Sequence, residues 1–312
     1  MAKSAKIKRA PKSTFARRLV RDRALIFLLL PGLAYYFIFH YVPMYGVWMA
    51  FTDFNLSKSI LGSDFVGLKW FREFFHSFYF WRLLENTLTL SLLNLLWGFP
   101  LPIFFALILH EMRQHQVKKI VQTVSYLPHF ISTVVIVGIM TSTLSPNGGI
   151  VNTLIKQAGG KPIDFMGSAS WFRGLYIGSG IWQSFGWNSI IYLAALTAVD
   201  PGLYEAARID GANRFEQILH VSIPCIMPTI IILLIMQLGR SMSVGYEKII
   251  LMYSPATYEK ADVISTYVYR RGVTGGQYSF GAAVGLFNNV VNMVLLLTVN
   301  SISRRAGEVS LW

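Results

Sequence analysis

Six long apolar runs, at about 24–51, 84–109, 120–144, 174–199, 221–246 and 281–303, dominate this chain. A helix needs roughly 20 mostly apolar residues to cross a bilayer. Inside lipid, its backbone donors and acceptors must be satisfied within the segment or by a neighbour. Runs of this length and composition therefore predict membrane-spanning helices. Hydrophobic residues make up 54% of the chain and charged residues 14%, against about 25% charged in a soluble domain. The first run is too long, and too strongly preceded by charge, to be a cleaved signal peptide. The expectation is an all-α membrane protein with six transmembrane helices.

Charge sets the orientation. Residues 1–23 carry Lys3, Lys6, Lys8, Arg9, Lys12, Arg17, Arg18, Arg21 and Arg23 against a single acid, Asp22. A basic segment before a first span stays in the cytoplasm. Six crossings return Arg304 and Arg305 to the same side, which also receives Arg113, Lys118 and Lys119. The sequence thus divides into a basic cytoplasmic tail (1–23), a six-helix membrane domain (24–303) and a short cytoplasmic tail (304–312). The net charge of +13 is better explained by topology and anionic lipid than by nucleic acid. Cys225 is the only cysteine, which rules out an intrachain disulfide or a cysteine-rich metal site.

The longer connections, 52–83, 145–173 and 247–280, fall outside the cell on this topology. They contain aromatic pieces, Trp70 to Phe75 and Trp171 to Arg173, of the kind that anchor helices at headgroup level. Pro and Gly punctuate the spans at Pro31, Pro43, Gly98, Pro100, Pro102, Pro128 and Gly186. They imply kinks that neighbouring helices must accommodate.

One polar island, 200–224, interrupts the apolar pattern on the cytoplasmic side. Asp200 and Pro201 form an N-cap followed by Pro at the first helical position. A short helix then runs to Asp210, where Gly211 breaks it. Asn213 and Glu216 have capping-box spacing and open a second helix, expected to continue until Pro224 and Pro228. Glu205, Arg208, Asp210 and Arg214 supply charge, and Ala206, Ala207 and Ala212 leave room for a partner's backbone. By itself this pattern also describes an ordinary helical loop.

The string from Glu205-Ala206-Ala207 through Gly211 to Val221-Ser222-Ile223-Pro224 resembles the EAA loop of permease subunits in binding-protein-dependent ABC importers. The stretches 40–46, 126–133 and 262–270, together with Ser310-Leu311-Trp312, are similar to carbohydrate permeases of the oligosaccharide and aldouronate branch. The resemblance covers nearly the whole chain. It implies the type I ABC importer permease (MetI-like) fold in the cytoplasmic membrane of a prokaryote. It also implies a second homologous permease subunit, two ATPase subunits that bind ATP and Mg, and an external solute-binding protein. Glu205, Ala206, Ala207, Asp210, Gly211, Arg214 and Pro224 would then meet an ATPase. The chain itself would be non-catalytic and hold no cofactor or metal. It contains no G-x-x-x-x-G-K-[ST] phosphate loop, and Gly159-Gly160-Lys161-Pro162 lacks both the spacing and the hydroxyl.

Polar residues within spans tend to face a bundle interior or a water-filled path. Gln183, Asn188, Gln237, Arg240, Asn288 and Asn292 are the path candidates, with Trp182, Trp187 and Tyr192 offering flat faces for a sugar. Hydrogen bonding between helices competes for each of them. Arg240 would stand about 28 Å along a helix begun at Val221. It can snorkel, pair with Glu247, or hold the carboxylate of a uronate. The alternative reading, an ATP-independent channel or secondary transporter, lacks the intramembrane charge relay that proton coupling needs.

Overall fold

The computed structural model describes residues 23–305, so most of the basic tail and the Ser310-Leu311-Trp312 ending lie outside the described residues. The fold is almost wholly helical. The first run is α1 (Arg23–Tyr36), continued through a π turn (Phe37–Tyr41) and a 3-10 turn (Tyr45–Phe51). It is mostly exposed, which suits a helix whose surroundings are apolar. A two-stranded antiparallel ribbon, β1 (Thr52–Asp53) and β2 (Asp64–Phe65), follows. Next comes α2 (Lys69–Phe75), where Trp70 Nε1 donates to the Thr52 carbonyl at 2.9 Å and Phe74 is buried.

The second run is α3 (Phe80–Leu93) joined through a π turn to α4 (Pro100–Glu111). The third is not one straight span. It is α5 (His115–Tyr126) with a 3-10 turn to Phe130, then a 95° bend into α6 (Thr133–Thr143). Pro128 cannot donate to the ladder, Ile131 and Ser132 are extended, and Ser132 Oγ recaps α6 by accepting from Val135 N. The short α7 (Ile150–Gln157) leads to α8 (Ala169–Thr197), 29 residues long.

α8 is the hub, packing against α3, α4, α5 and the later helices. Gly186 permits the close approach to α5, since a Cβ there would lie 2.2 Å from the Ser125 carbonyl. Four helices are long and apolar enough to cross a membrane alone: Arg23–Phe51, Phe80–Glu111, Arg214–Leu238 and Tyr278–Arg305. The bent pair makes a fifth. The remaining run, α8, has the length, but its Gly, Gln, Asn and Ser residues dilute its apolar character. A helix enclosed by other helices needs less apolar surface than one facing lipid.

The 200–224 island forms α9 (Pro201–Ile209) and α10 (Arg214–Gln217). A π turn (Ile218–Ser222) joins α10 to α11 (Ile223–Leu238). Helix therefore continues through Pro224 and Pro228 instead of ending there. Ile223 N donates five residues back to Ile218 O, and this wider turn absorbs the proline constraint. α12 (Tyr246–Met252), α13 (Tyr258–Ala261) and α14 (Ile264–Val268) precede the last long helix, α15 (Tyr278–Arg305).

Three buried clusters hold the bundle. One gathers Phe74, Phe80, Leu83, Tyr267 and Phe280. A second joins Leu90, Val137, Phe172 and Ile249. The third, nearest α9, packs Leu107, Leu109, Tyr192, Leu196 and Ile226.

Candidate functional site: a protruding helical turn and an interior cavity

Asp200 caps α9, its Oδ1 accepting from Gly202 N at 2.9 Å. At the other end Gly211 takes φ +84°, a conformation that costs other residues. Gly211 N donates to Arg208 O (3.1 Å) and Ala212 N to Ala207 O (2.9 Å), which is the Schellman closure. Asn213 and Glu216 complete a reciprocal capping box, with Glu216 N on Asn213 Oδ1 at 3.0 Å and Asn213 N on Glu216 Oε2 at 2.7 Å. Gln217 Nε2 ties the turn back to Ala212 O, and Tyr204 Oη meets Ser222 Oγ at 3.0 Å.

The turn is thus rigid, yet no residue of α9 is buried. Ile209 is 87% and Phe215 72% exposed, beside exposed Glu205, Asp210 and Arg214. A well-capped element that leaves large apolar side chains uncovered is built to be covered by something else. Pro224 stands apart from it, in the first turn of α11.

Between the helices lies a cavity of about 460 Å3, with Asn188, Gln237 and Arg240 in its lining. Ser91, Asn94, Ser184, Ser241 and Ser243 add hydrogen-bonding groups, and Tyr176, Tyr192 and Phe99 add rings. Its lining includes no acid. Gln183, Asn288 and Asn292 are not part of that lining. Gln183 Nε2 donates to the Ile131 carbonyl at 2.9 Å, satisfying the acceptor freed by the break between α5 and α6. Asn292 accepts from Met242 N and donates to Ser243 Oγ, both at 2.9 Å. Asn288 Oδ1 is buried without a hydrogen-bond partner among the described residues. His129, next to the break, stacks on Trp187 at 4.5 Å.

Arg240 lies two residues beyond the end of α11, in a turn, so it is not on the helix that the sequence suggests. It makes no ion pair with Glu247 or any other acid among the described residues.

The sequence reading missed Ser91, Ser184 and Tyr176 as cavity residues. A signal was present: Tyr176, Ser184, Asn188 and Tyr192 recur at multiples of four along α8 and so share one face.

A charged network closes the end of the bundle opposite α9. Asp262, fully buried, accepts from Arg270 at 3.1 and 2.7 Å and from Thr266 Oγ1 at 2.9 Å. Arg82 approaches it at 3.4 Å. Asn86 Nδ2 donates to the Asp262 and Glu259 carbonyls, each at 3.0 Å, and Asn86 Oδ1 accepts from Arg173 at 2.9 Å. Burial works against the Arg270 charge, but the hydrogen bond and charge of Asp262 outweigh it and raise its pKa. Arg271 pairs with Glu73 at 2.8 Å. Arg270 and Arg271 are therefore engaged within the chain: Asp262 stands eight residues before Arg270, and α2 brings Glu73 to Arg271 from 198 residues away. Lys248 on α12 donates to the Tyr176 carbonyl at 3.0 Å. Burial lowers its pKa to about 8.

The model of the family described as "Binding-protein-dependent transport system inner membrane component" matches residues 98–306. Among similar proteins is the polygalacturonan/rhamnogalacturonan transport system permease protein YteP of Bacillus subtilis (strain 168). It is 44% identical over 291 residues, covering 93% of this chain and 91% of the relative. Protein LplB of the same organism is 42% identical, covering 94% and 92%. A chain of a bacterial alginate ABC transporter, solved with an alginate pentasaccharide-bound periplasmic protein, superposes with a TM-score of 0.87. It shares 43% identity and covers 96% of this chain and 100% of that one. A second crystal structure, of a bacterial ABC transporter that imports alginate, matches with a TM-score of 0.85 and 44% identity, over 93% and 98%.

Proposed function

Because this chain belongs to the family of binding-protein-dependent transport system inner membrane components, we propose that it moves acidic oligosaccharides through the membrane as one half of a permease pair. It is a permease subunit of an ABC importer, a multi-pass protein of the inner membrane. Six crossings, with both termini cytoplasmic, put the 200–224 segment inside the cell. There it engages an ATPase subunit through Glu205, Ala206, Ala207, Asp210, Gly211 and Arg214. ATP and Mg belong to the two ATPase partners, and a solute-binding protein delivers the sugar from outside. The chain itself is non-catalytic.

The observation that carries this reading is the turn around Gly211. It is fixed at both ends by capping bonds and closed by Schellman geometry, while no residue of α9 is fully buried. A lever has to be stiff along its length and free at its tip.

The cavity supports the choice of solute. Arg240, without an acidic partner among the described residues, faces amides, hydroxyls and rings. Sugars are held by such mixtures of hydrogen bonds and flat apolar faces, and guanidinium groups grip carboxylates. The names of the similar proteins, which concern polygalacturonan, rhamnogalacturonan and alginate, point to the same class.

Reconstitution in liposomes with the partner subunits tests both parts. Gly211→Pro and Glu205→Ala are expected to abolish solute-stimulated ATP hydrolysis, and unchanged stimulation in both would reject the coupling role. Arg240→Ala is expected to reduce uptake of a uronate oligomer more than that of a neutral analogue. Equal losses would reject an acidic solute at Arg240.

A further inference from the structure

A second cavity, of about 780 Å3, lies between the end of α4 and the turn around Gly211. His110, Glu111, Met112 and Arg113 form one wall, and Tyr204, Arg208, Asn213 and Arg214 stand among those opposite. Three arginines against one glutamate leave the lining with a formal charge of +2 when His110 is neutral. None of the three guanidinium groups makes a hydrogen bond or ion pair among the described residues. Glu111 makes no ion pair there either. Cations that outnumber the acids around a concavity, and pair with none of them, are a site for an anion.

On α9 the cavity is lined by Tyr204 and Arg208, neither of them assigned to the ATPase, while Arg214 of α10 is shared between the cavity and the ATPase contact. With about 100° per residue, Tyr204 and Arg208 lie about 40° apart on the helix. Ala206 is about 180° and Ile209 about 120° from their midpoint. Exposed Leu203, Ile209 and Phe215 are absent from the cavity lining. The element thus carries Leu203 and Ile209 beside the acid Asp210 on its outer side and the basic Arg208 on its inner side.

We infer that this basic cavity binds a phosphate group, carried by an anionic lipid headgroup or by a small soluble phosphate. Arginine forks match phosphate oxygens. Basic pockets at the cytoplasmic ends of transmembrane helices suit anionic headgroups. The volume falls in the usual range for small-ligand sites. A phosphate held by Arg113 on one wall and Arg208 on the other ties the 112–114 connection to the lever. The stiffness of the lever then depends on the anion present. The inference rests on the reading above only for the side of the membrane and for the role of the outer face.

The test uses the full-length chain, purified in neutral detergent without nucleotide or solute. One arm measures retention of phosphatidylglycerol against phosphatidylcholine by native mass spectrometry. The other titrates inorganic pyrophosphate. Binding in the lipid arm alone assigns the source to the membrane, and binding in the pyrophosphate arm alone assigns it to the cytosol. Either supports the site if Arg113→Gln with Arg208→Gln weakens it by about thirtyfold, as two basic residues near an anionic headgroup predict. Glu111→Gln, which removes the opposing charge, is expected to tighten binding severalfold and decides the matter if the double variant does not fold. No binding in either arm, or binding indifferent to these substitutions, overturns the inference. Because neither arm involves ATP or sugar, such a failure leaves the transport reading standing.

Discussion

Arg270 holds Asp262 through two hydrogen bonds, 3.1 and 2.7 Å long, and the Asp262 side chain is completely shut off from solvent. Eight residues separate them, on either side of α14. The pair fixes the segment between α12 and α15 against the start of α3, because Arg82 and Asn86 join the same carboxylate and backbone. Removing one partner of a fully buried pair costs about 3–5 kcal/mol, and here water reaching Arg270, 31% exposed, recovers part of that cost. Asp262→Ala is therefore expected to lower the thermal midpoint sharply in detergent. The double variant Asp262→Leu with Arg270→Met should lose much less. A fall of the same size in both would show that the packing, not the charge pair, matters.

Gln183 makes a different kind of prediction. It fills the acceptor left open where α5 breaks into α6. An unsatisfied buried carbonyl costs about 1–3 kcal/mol, and that of half-buried Ile131 falls at the lower end of this range. Gln183→Leu should destabilise the chain by that order, measured by thermal unfolding. Gln183→Glu, protonated at low pH and able to donate, should recover stability as pH falls. No pH-dependent recovery would count against the bond.

The capping box at Asn213 and Glu216 should control the local stability of α10. Loss of such a cap costs about 0.5–2 kcal/mol. In Asn213→Ala, amide hydrogens at Phe215, Glu216 and Gln217 are expected to exchange severalfold faster. Exchange in α8 should stay as it is. Uniform acceleration throughout the chain would refute a local role.

Lys248 predicts a dependence on pH. Burial brings its pKa down from 10.5 to about 8. Between those values the unfolded chain binds more protons than the folded one, so stability rises with pH across this window. Below about pH 8 the folded state carries the full cost of a buried ammonium. Thermal midpoints of the wild type, measured from pH 7.5 to 10.5, should therefore climb relative to those of Lys248→Met. Parallel curves would contradict the shifted pKa.

Much of the membrane architecture was readable from the sequence, because the bilayer permits few solutions. Most of each of the six apolar runs is helical, and the local signals at Asp200, Gly211, Asn213 and Glu216 became the caps and turn they spell. These signals act over three or four residues, so no distant partner was needed to interpret them. The break at Ile131 was harder to see. Pro128 announced a kink, but a 95° bend requires a donor from another helix, and Gln183 lies 52 residues away.

The sequence alone therefore determined the class of fold and the shape of the protruding turn, since hydrophobic length and backbone capping are local quantities. Tertiary structure decided which polar residues serve the cavity and which serve the frame. Asn188, Gln237 and Arg240 look into open space, whereas Gln183 and Asn292 are spent on backbone atoms of other segments. It also paired Arg270 with Asp262 and Arg271 with Glu73. The physical reason is the same in each case: a buried polar group takes whichever partner lies within about 3 Å, and only the packed helices fix that neighbour.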